Sequence, residues 1–552
     1  MGVTESPTLR RLGVRHLPLP LPRWRAQRNR RPIPARTPFP PSLHMTTFAS
    51  MTEQTTTNTI REPERLILLR LAAELAIKSR RTRTGFQRRL LANIRDALRS
   101  TGAPFRVEGT WGRVWVRTAS AEAQTVLSRV FGVSSLSPVD VVVPANMDAI
   151  VSAGEAAFRE RVQGKTFAVR ARRTGRHPFS SHDIQVQLGA ALNRYAEVDL
   201  DEPDVTVYVE VRDGEAYLFT DWIPGAGGLP VGVEGNAVAL LSGGYDSAVA
   251  AWLLLKRGVA LDYVFCNLGG DAYERAVVQV AKVLADDWSF GTRPRLHVIP
   301  FGAVVDEMRA KSKASYWQVV LKRLMYRAAT RVGMELDAQA IVTGEAVGQV
   351  SSQTLVNLRA IEPAADLPVF RPLLGFDKEE IIARAKEIGT AALSEQVKEY
   401  CAIAPGHPVT AARVEAVAAE EAKLDLSVLD RAIAERKVLD LRSLRPTDLV
   451  APYLFTTDIP AGARVFDCRT ESQYRAWHLP GAEHRDEYDL LQRFNELDRD
   501  QTYVLYCQHG IQTAYIAEKM QRAGYEAYSF KGGVRGVMKW AEERGLLPKG
   551  LV

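Results

Sequence analysis

The apolar run Ala237-Val238-Ala239-Leu240-Leu241 ends in the loop Ser242-Gly243-Gly244-Tyr245-Asp246-Ser247, which opens directly into the helical stretch Ala248 to Lys256. No other segment constrains the fold as much, because strand, tight loop and helix in that order start an α/β unit. Gly243 and Gly244 carry no side chains, so backbone N–H groups can close on an anion. The helix that follows aims its unpaired donors and positive dipole end at the same point. The segment is a candidate phosphate cradle, and a Gly-Gly turn entering a helix reads the same way on residues alone. It is not the lysine-bearing phosphate loop, since no G-x-x-x-x-G-K-[ST] occurs in the chain.

The rest of this region alternates strands (262–265, 295–299, 340–343) with helices (273–286, 317–332, 378–388). That pattern predicts a doubly wound parallel sheet, with ligands at the carboxyl ends of its strands. Ser242 to Ser247, Asn267 to Gly270 and Thr343-Gly344-Glu345 all fall there. The loop resembles the SGGxDS loop of the ATP pyrophosphatase, or PP-loop, family, whose members adenylate a carbonyl oxygen and release pyrophosphate.

At 552 residues the chain predicts several domains, and 46% hydrophobic content is ample for their cores. Apolar runs are short and broken by charge, which predicts no membrane span and a cytoplasmic protein. Four cysteines, Cys266, Cys401, Cys468 and Cys507, are too few for a disulfide scaffold and form no C-x-x-C pair, so no zinc or other metal site is expected. The net charge of +8 is segregated. Nine Arg against Glu5 and Glu53 give residues 1–60 a net +7, and 22 basic against 10 acidic residues give 61–176 a net +12. A basic amino-terminal part on an acidic remainder fits an anionic polymer held by one and worked on by the other, while solvated helix faces would give the same count.

Residues 1–60 are rich in Pro, Arg, Ser and Thr, which predicts a disordered basic extension. It reads equally as a transit peptide or, given Met45 and Met51, as an over-long start. Residues 61–119 read as a ferredoxin-like α+β unit, with a strand at 66–71 and a helix at 84–98. Its turn from Ile77 to Arg83 places Lys78, Arg81 and Arg83, with Arg88 and Arg89 of the helix, on a basic surface. Residues 120–224 read as a second α+β unit closed by a hairpin at Asp213-Gly214. Its segment Gly164 to Arg173, carrying Lys165, Arg170, Arg172 and Arg173, resembles the signature strand of THUMP domains. That resemblance implies binding of tRNA acceptor ends. The PP-loop domain is expected at 225–410 and a helical connector at 411–447.

Residues 448–552 read as a separate α/β unit. Asp467-Cys468-Arg469-Thr470, His478-Leu479-Pro480-Gly481-Ala482, Cys507-Gln508-His509-Gly510-Ile511-Gln512-Thr513 and Phe530-Lys531-Gly532-Gly533-Val534 occur in the order that rhodanese domains show, and the unit resembles one. Cys507 ends an apolar strand and precedes a helix, where backbone N–H groups would stabilise a thiolate or persulfide. It is the best nucleophile candidate, the plainer reading being a buried strand-end thiol. Many rhodanese loops have Arg where Gln512 stands, which bears on substrate preference. Cys266 and Cys468 read as structural.

The domain order, with Ser351-Ser352-Gln353-Thr354, Arg371-Pro372-Leu373-Leu374 and Glu399-Tyr400-Cys401, resembles the 4-thiouridine synthase (ThiI) family over roughly residues 63–552. The resemblance implies an enzyme that binds ATP with its magnesium, holds no permanent cofactor, and adenylates the C4 oxygen of uridine at position 8 of tRNA. Sulfur would come as a persulfide on Cys507 from a PLP-dependent cysteine desulfurase. Cys401 would then take up a disulfide with Cys507 that a reductant reopens. Leu240, Leu241, Ser242, Gly243, Gly244, Ser247, Lys322, Gly344, Gln353 and Lys378 are implied ATP-site residues, and Asp246 a catalytic one. On spacing alone, Asp246 also suits helix capping, Lys322 a solvated helix face, and Lys378 the capping box Asp377-Lys378-Glu379-Glu380. A homodimer, and sulfur donation to a carrier protein for thiamine thiazole, are further implications. A catalytically silent tRNA-binding or sulfur-carrier module is the alternative.

Overall fold

The computed structural model describes residues 64–110, 112–395, 397, 407–444, 454–507 and 510–546. The expected extension at 1–60 and the expected Cys401–Cys507 disulfide lie outside the described residues. Among the described residues four sheets organise the fold.

The first sheet is antiparallel, with Arg65–Leu71 between Arg113–Thr118 and Val133–Val139, Phe105–Thr110 at one edge and Ile223–Pro224 at the other. The amphipathic helix Arg80–Arg99 covers it through Phe86, Leu90, Ile94 and Leu98. Two expectations need correction. The first unit does not end at residue 119, because Val133–Val139 pairs along the whole of Arg65–Leu71 and buries Leu136 in the same core. The stretch 77–83 is not all turn, since Ser79 accepts a hydrogen bond from Thr82 N and caps a helix starting at Arg80.

The second sheet runs Glu197–Val198, Thr166–Thr174, Val205–Arg212, Glu215–Phe219, Val141–Pro144, with helices Met147–Val162 and Ser181–Leu192 packed together on it. A buried charge cluster joins it to the first sheet. Glu210 accepts from Arg113 Nε at 2.6 Å and Arg212 Nε at 2.7 Å, and Arg70 Nη2 lies 3.4 Å away. Burial pushes the Glu210 carboxyl up, but Arg113, Arg212 and Arg70 together hold it below its ordinary value. Burial, with Arg113 and Arg172, brings Arg70 down to about 10 against the pull of Glu210. Glu210→Gln should therefore lower stability by about 3–5 kcal/mol, since three arginines lose their counter-charge in a desolvated site. Chemical denaturation checks this. The Glu210 contribution is present above the ordinary carboxyl range and is lost as pH falls through its depressed folded value.

The third sheet is the doubly wound one, in the order Val369–Phe370, Ile341–Val342, Asn236–Leu240, Ala260–Asn267, Arg295–Pro300, Lys437–Asp440. All neighbours are parallel except the last strand, which runs antiparallel to Arg295–Pro300. The described part of the expected connector, residues 411–444, therefore belongs to this domain and supplies its edge strand. Its helix Val414–Glu421 is anchored where Glu421 accepts from Arg323 Nη2 at 2.6 Å and Arg327 Nε at 2.7 Å. A charged helical sequence looked like a linker because its two arginine partners lie about a hundred residues upstream.

His297, 2% exposed on strand Arg295–Pro300, accepts from Arg436 at 3.3 Å. Burial, reinforced by Arg436 and Arg295 and opposed by Asp262 and Glu335, lowers its imidazole from 6.5 to about 4. A lowered histidine binds protons more tightly when unfolded, so its stabilisation is complete above pH 6.5 and drains away towards pH 4. The loss amounts to ~3 kcal/mol at most. Thermal melts of His297→Gln should show a shallower slope across that window.

The fourth sheet is wholly parallel, in the order Phe455–Thr456, Glu526–Phe530, Thr502–Tyr506, Arg464–Asp467, Glu483–His484. Its helix Ile511–Arg522 lies against helix Gly270–Val283 of the third-sheet domain. There Ala272 N donates to Glu518 at 3.1 Å, Arg522 pairs with Asp271 at 2.8 Å, and Leu454, Ala514 and Ala272 bury a small apolar seam.

Candidate active sites and nucleic-acid face

Strand Asn236–Leu240 delivers its loop between strands Ala260–Asn267 and Ile341–Val342, at their common carboxyl end. Gly243 has φ +81°, a region that favours glycine, and a Cβ there would press on Val277 and Val397. The Ser247 hydroxyl folds back to donate to Gly244 O at 3.1 Å and accepts from Ser242 N at 3.2 Å, so the loop is closed by its own side chain. Tyr273 OH donates to Ser242 O at 3.0 Å. Gly344 touches the start of helix Tyr245–Lys256 so closely that a Cβ would sit 2.5 Å from the Asp246 carbonyl carbon.

Asp246 is 7% exposed and accepts from Lys378 Nζ at 2.9 and 3.1 Å and from Gln349 Nε2 at 2.9 Å. Lys378 occupies the first turn of a helix whose capping box, Asp377 with Glu380, is formed, so its backbone serves the helix while its ammonium reaches the loop. Leu240, Leu241, Ser242, Asp246, Ser247, Lys322, Gly344 and Gln353 line one cavity of about 100 Å³ with Cys266, Tyr326 and Glu345. Gln353 accepts from Ala346 N at 3.3 Å. Lys322 Nζ lies 3.9 Å from Glu345 Oε1.

Glu345, Tyr326 and Gln349 escaped sequence reasoning, although Glu345 sits in a segment expected at the sheet's carboxyl edge. Glu345 accepts from the Tyr326 phenol, from Thr343 Oγ1 at 3.1 Å and from Arg371 Nε at 2.9 Å. Burial and the adjacent Glu345 raise the Tyr326 phenol well above its ordinary range, which keeps it a hydrogen-bond donor. Arg371 lies in the quoted Arg371-Pro372-Leu373-Leu374 motif, so a signal for it existed.

Cys507 follows strand Thr502–Tyr506 and is 2% exposed. Gly510 N donates to its sulfur at 3.2 Å and Thr513 Oγ1 does so at 3.5 Å. Gly510 has φ +86°, and a Cβ on it would press on Phe530 O and Gly533 N at 3.0 and 3.1 Å. Val534 N donates to Cys507 O at 2.9 Å, so the Gly532-Gly533 turn, not the cysteine loop alone, fixes the thiol. These donors are what a sulfur anion needs. Cys401 and the Gln512 side chain lie outside what is described.

The basic residues divide. Arg170 and Arg172 line a cavity of about 430 Å³ with Gln185, Tyr208, Phe219 and Trp222. Arg70 lies 3.7 Å above the Trp222 ring and Arg172 5.7 Å from it. Arg173 points the other way, donating to Gly175 O at 2.8 Å, and Lys165 is exposed. Arg81 is exposed, Arg83 donates to Ala76 O at 3.4 Å, and Lys78 lies 3.8 Å from Glu234. Arg89 leaves the expected basic surface: it donates to Val231 O and Gly291 O, both at 2.8 Å, bracing the first unit on the third.

A glycine loop at the carboxyl end of a parallel sheet, a thiol held by amide and hydroxyl donors, and an arginine and aromatic face define a multidomain α/β protein with a candidate anion-binding loop and a candidate sulfur nucleophile. Residues 66–137 match the ThiI ferredoxin-like domain, 144–221 the THUMP domain, 232–426 the family described as thiamine biosynthesis protein (ThiI), and 456–540 the rhodanese-like domain. The tRNA sulfurtransferase of Desulfurococcus amylolyticus is 39% identical over 85% of this chain and 97% of its own. That of Pyrobaculum aerophilum is 37% identical over 84% and 96%. A solved 4-thiouridine synthetase in complex with RNA and ATP superposes with a TM-score of 0.60 at 32% identity, covering 68% of this chain and 99% of that one. The chain belongs to the tRNA sulfurtransferase family.

Proposed function

We propose that this enzyme converts uridine at position 8 of tRNA to 4-thiouridine in two half-reactions. In the first, ATP binds in the cavity at the Ser242–Ser247 loop and the uridine C4 oxygen attacks its α-phosphorus. Pyrophosphate leaves, with its charge met by loop N–H groups, Lys322 and Lys378. Asp246, a carboxylate held at the loop by Lys378 and Gln349, fits a magnesium that arrives with the triphosphate. Among the described residues no three His, Cys, Asp or Glu side chains converge on a metal site of their own.

In the second half-reaction the outer sulfur of a Cys507 persulfide, loaded by a PLP-dependent cysteine desulfurase, replaces the adenylate at C4 and AMP departs. Adenylation is needed because a carbonyl oxygen leaves poorly and a phosphate ester leaves well. The outer sulfur is then bonded to both C4 and Cys507. Cys401 attacks the Cys507 sulfur, and the bond from Cys507 to the outer sulfur breaks with its electron pair leaving on 4-thiouridine. The Cys401–Cys507 disulfide that forms is reopened by a dithiol reductant. The tRNA is held by Lys165, Arg170 and Arg172 with Lys78, Arg81 and Arg83, through phosphate contacts and base stacking, while Arg173, turned the other way, stays on Gly175 O. The observation that carries the reading is the pair of donors on the Cys507 sulfur in a chain that also holds a phosphate-type loop. Among the described residues no helix is long and apolar enough to cross a membrane. A homodimer, and a second use of Cys507 in loading a sulfur-carrier protein for thiamine thiazole, extend the same reading.

Mass spectrometry of nucleosides from tRNA incubated with the enzyme, Mg-ATP, cysteine and a cysteine desulfurase tests it. Formation of 4-thiouridine that requires all of these is expected. Its absence with folded, nucleotide-binding protein would move the silent binding module to the front.

A further inference from the structure

The fourth sheet brings a second thiol beside Cys507. Strands Arg464–Asp467 and Thr502–Tyr506 run parallel with Asp467 opposite Tyr506, and Cys468 N donates to Tyr506 O at 2.8 Å. The next pair across the two strands is therefore Cys468 and Cys507. Alternation puts both side chains on one face with Phe466 and Leu505, in a single apolar cluster, while Val465, Val504 and Tyr506 face the other. Adjacent strands lie about 4.8 Å apart, inside the Cα separation that a disulfide spans. Cys468 is 3% exposed and, like Cys507, a free thiol. Nothing in the proposed sulfur route uses it.

We infer that Cys468 is an internal resolving thiol, which closes a disulfide onto Cys507 when a persulfide there finds no acceptor. The inference rests on Cys507 carrying that persulfide. In the step, the Cys468 sulfur attacks the Cys507 sulfur and a Cys468–Cys507 bond forms. The bond from Cys507 to the outer sulfur breaks, and its electron pair leaves on that sulfur. The Cys468 proton goes with it, so hydrosulfide departs. Two-electron accounting closes without an outside oxidant: the outer sulfur is reduced as the two cysteines become a disulfide. A dithiol reductant then restores both thiols.

The surroundings make this a slow reserve and not a competitor of delivery. Burial raises the Cys468 thiol well above its ordinary range, and Cys507, Glu487 and Asp467 add to the shift. A protonated, enclosed thiol attacks slowly, whereas a persulfide presented with an activated uridine is consumed first. The device limits how long a reactive persulfide persists, at the expense of one reduction.

The test uses the full chain as wild type, Cys401→Ser and Cys401→Ser/Cys468→Ser. Each is incubated with cysteine and a cysteine desulfurase without tRNA or reductant, alkylated, digested and mapped by non-reducing peptide mass spectrometry. In Cys401→Ser, a one-sulfur mass increase on the Cys507 peptide should give way to a linked Cys468–Cys507 peptide with release of sulfide. The double variant should lose the linked peptide and retain the sulfur on Cys507. If Cys401→Ser keeps its Cys507 persulfide and never forms the link, the inference is overturned and the sulfur route stands. If no variant gains sulfur on Cys507, the route and the inference fall together.

Discussion

Cys507→Ser should make no detectable 4-thiouridine while still releasing pyrophosphate from ATP in the presence of tRNA. A serine oxygen fits where the sulfur sits, and Gly510 N and Thr513 Oγ1 keep an acceptor, so the domain should melt within a degree or two of wild type. What is lost is chemical, because a hydroxyl cannot carry a transferable sulfur. Measuring both products in one reaction separates the two domains: pyrophosphate reads the phosphate loop and 4-thiouridine reads the thiol. Wild-type amounts of 4-thiouridine from Cys507→Ser would remove Cys507 from the sulfur route.

Asp246→Ala should do the converse. Pyrophosphate release should fall by roughly 10²–10³, the usual scale for deleting one preorganised charge at a reacting phosphate or oxyanion. Persulfide loading of Cys507, read by peptide mass, should be unaffected. The cost to folding is small: Lys378 is 43% exposed and remains hydrated when its partner goes, so the ion pair contributes under about 1 kcal/mol. Lys378→Ala should follow Asp246→Ala in direction, since its ammonium both holds the carboxylate and lies at the phosphate end of the loop. Unchanged pyrophosphate release in both variants would mean that the Asp246–Lys378 pair only braces the loop.

The parts legible from residues alone were those whose chemistry is local. A strand, two glycines and a helix make a phosphate loop wherever they occur, and a cysteine between an apolar strand and a helix meets backbone donors by necessity. The doubly wound sheet followed from the alternation of 260–388 for the same reason. Local reading failed where a partner lay far along the chain. The first unit was cut at 119 because nothing in Val133–Val139 announces that it pairs with Arg65–Leu71, some sixty residues earlier. The stretch 411–447 read as a connector because the partners of Glu421, buried Arg323 and half-buried Arg327, lie about a hundred residues upstream. Arg89 looked like one more surface charge until the fold set Val231 O and Gly291 O against it.

By itself the sequence determined the domain order, the loop at Ser242–Ser247 and the thiol at Cys507, because periodicity, glycine placement and strand ends are properties of neighbouring residues. Only the tertiary structure decided that Lys378 reaches Asp246 across 132 residues and that Cys468 and Cys507 follow paired strands into one apolar cluster. Parallel pairing sets those neighbours through crossovers whose register no local pattern encodes.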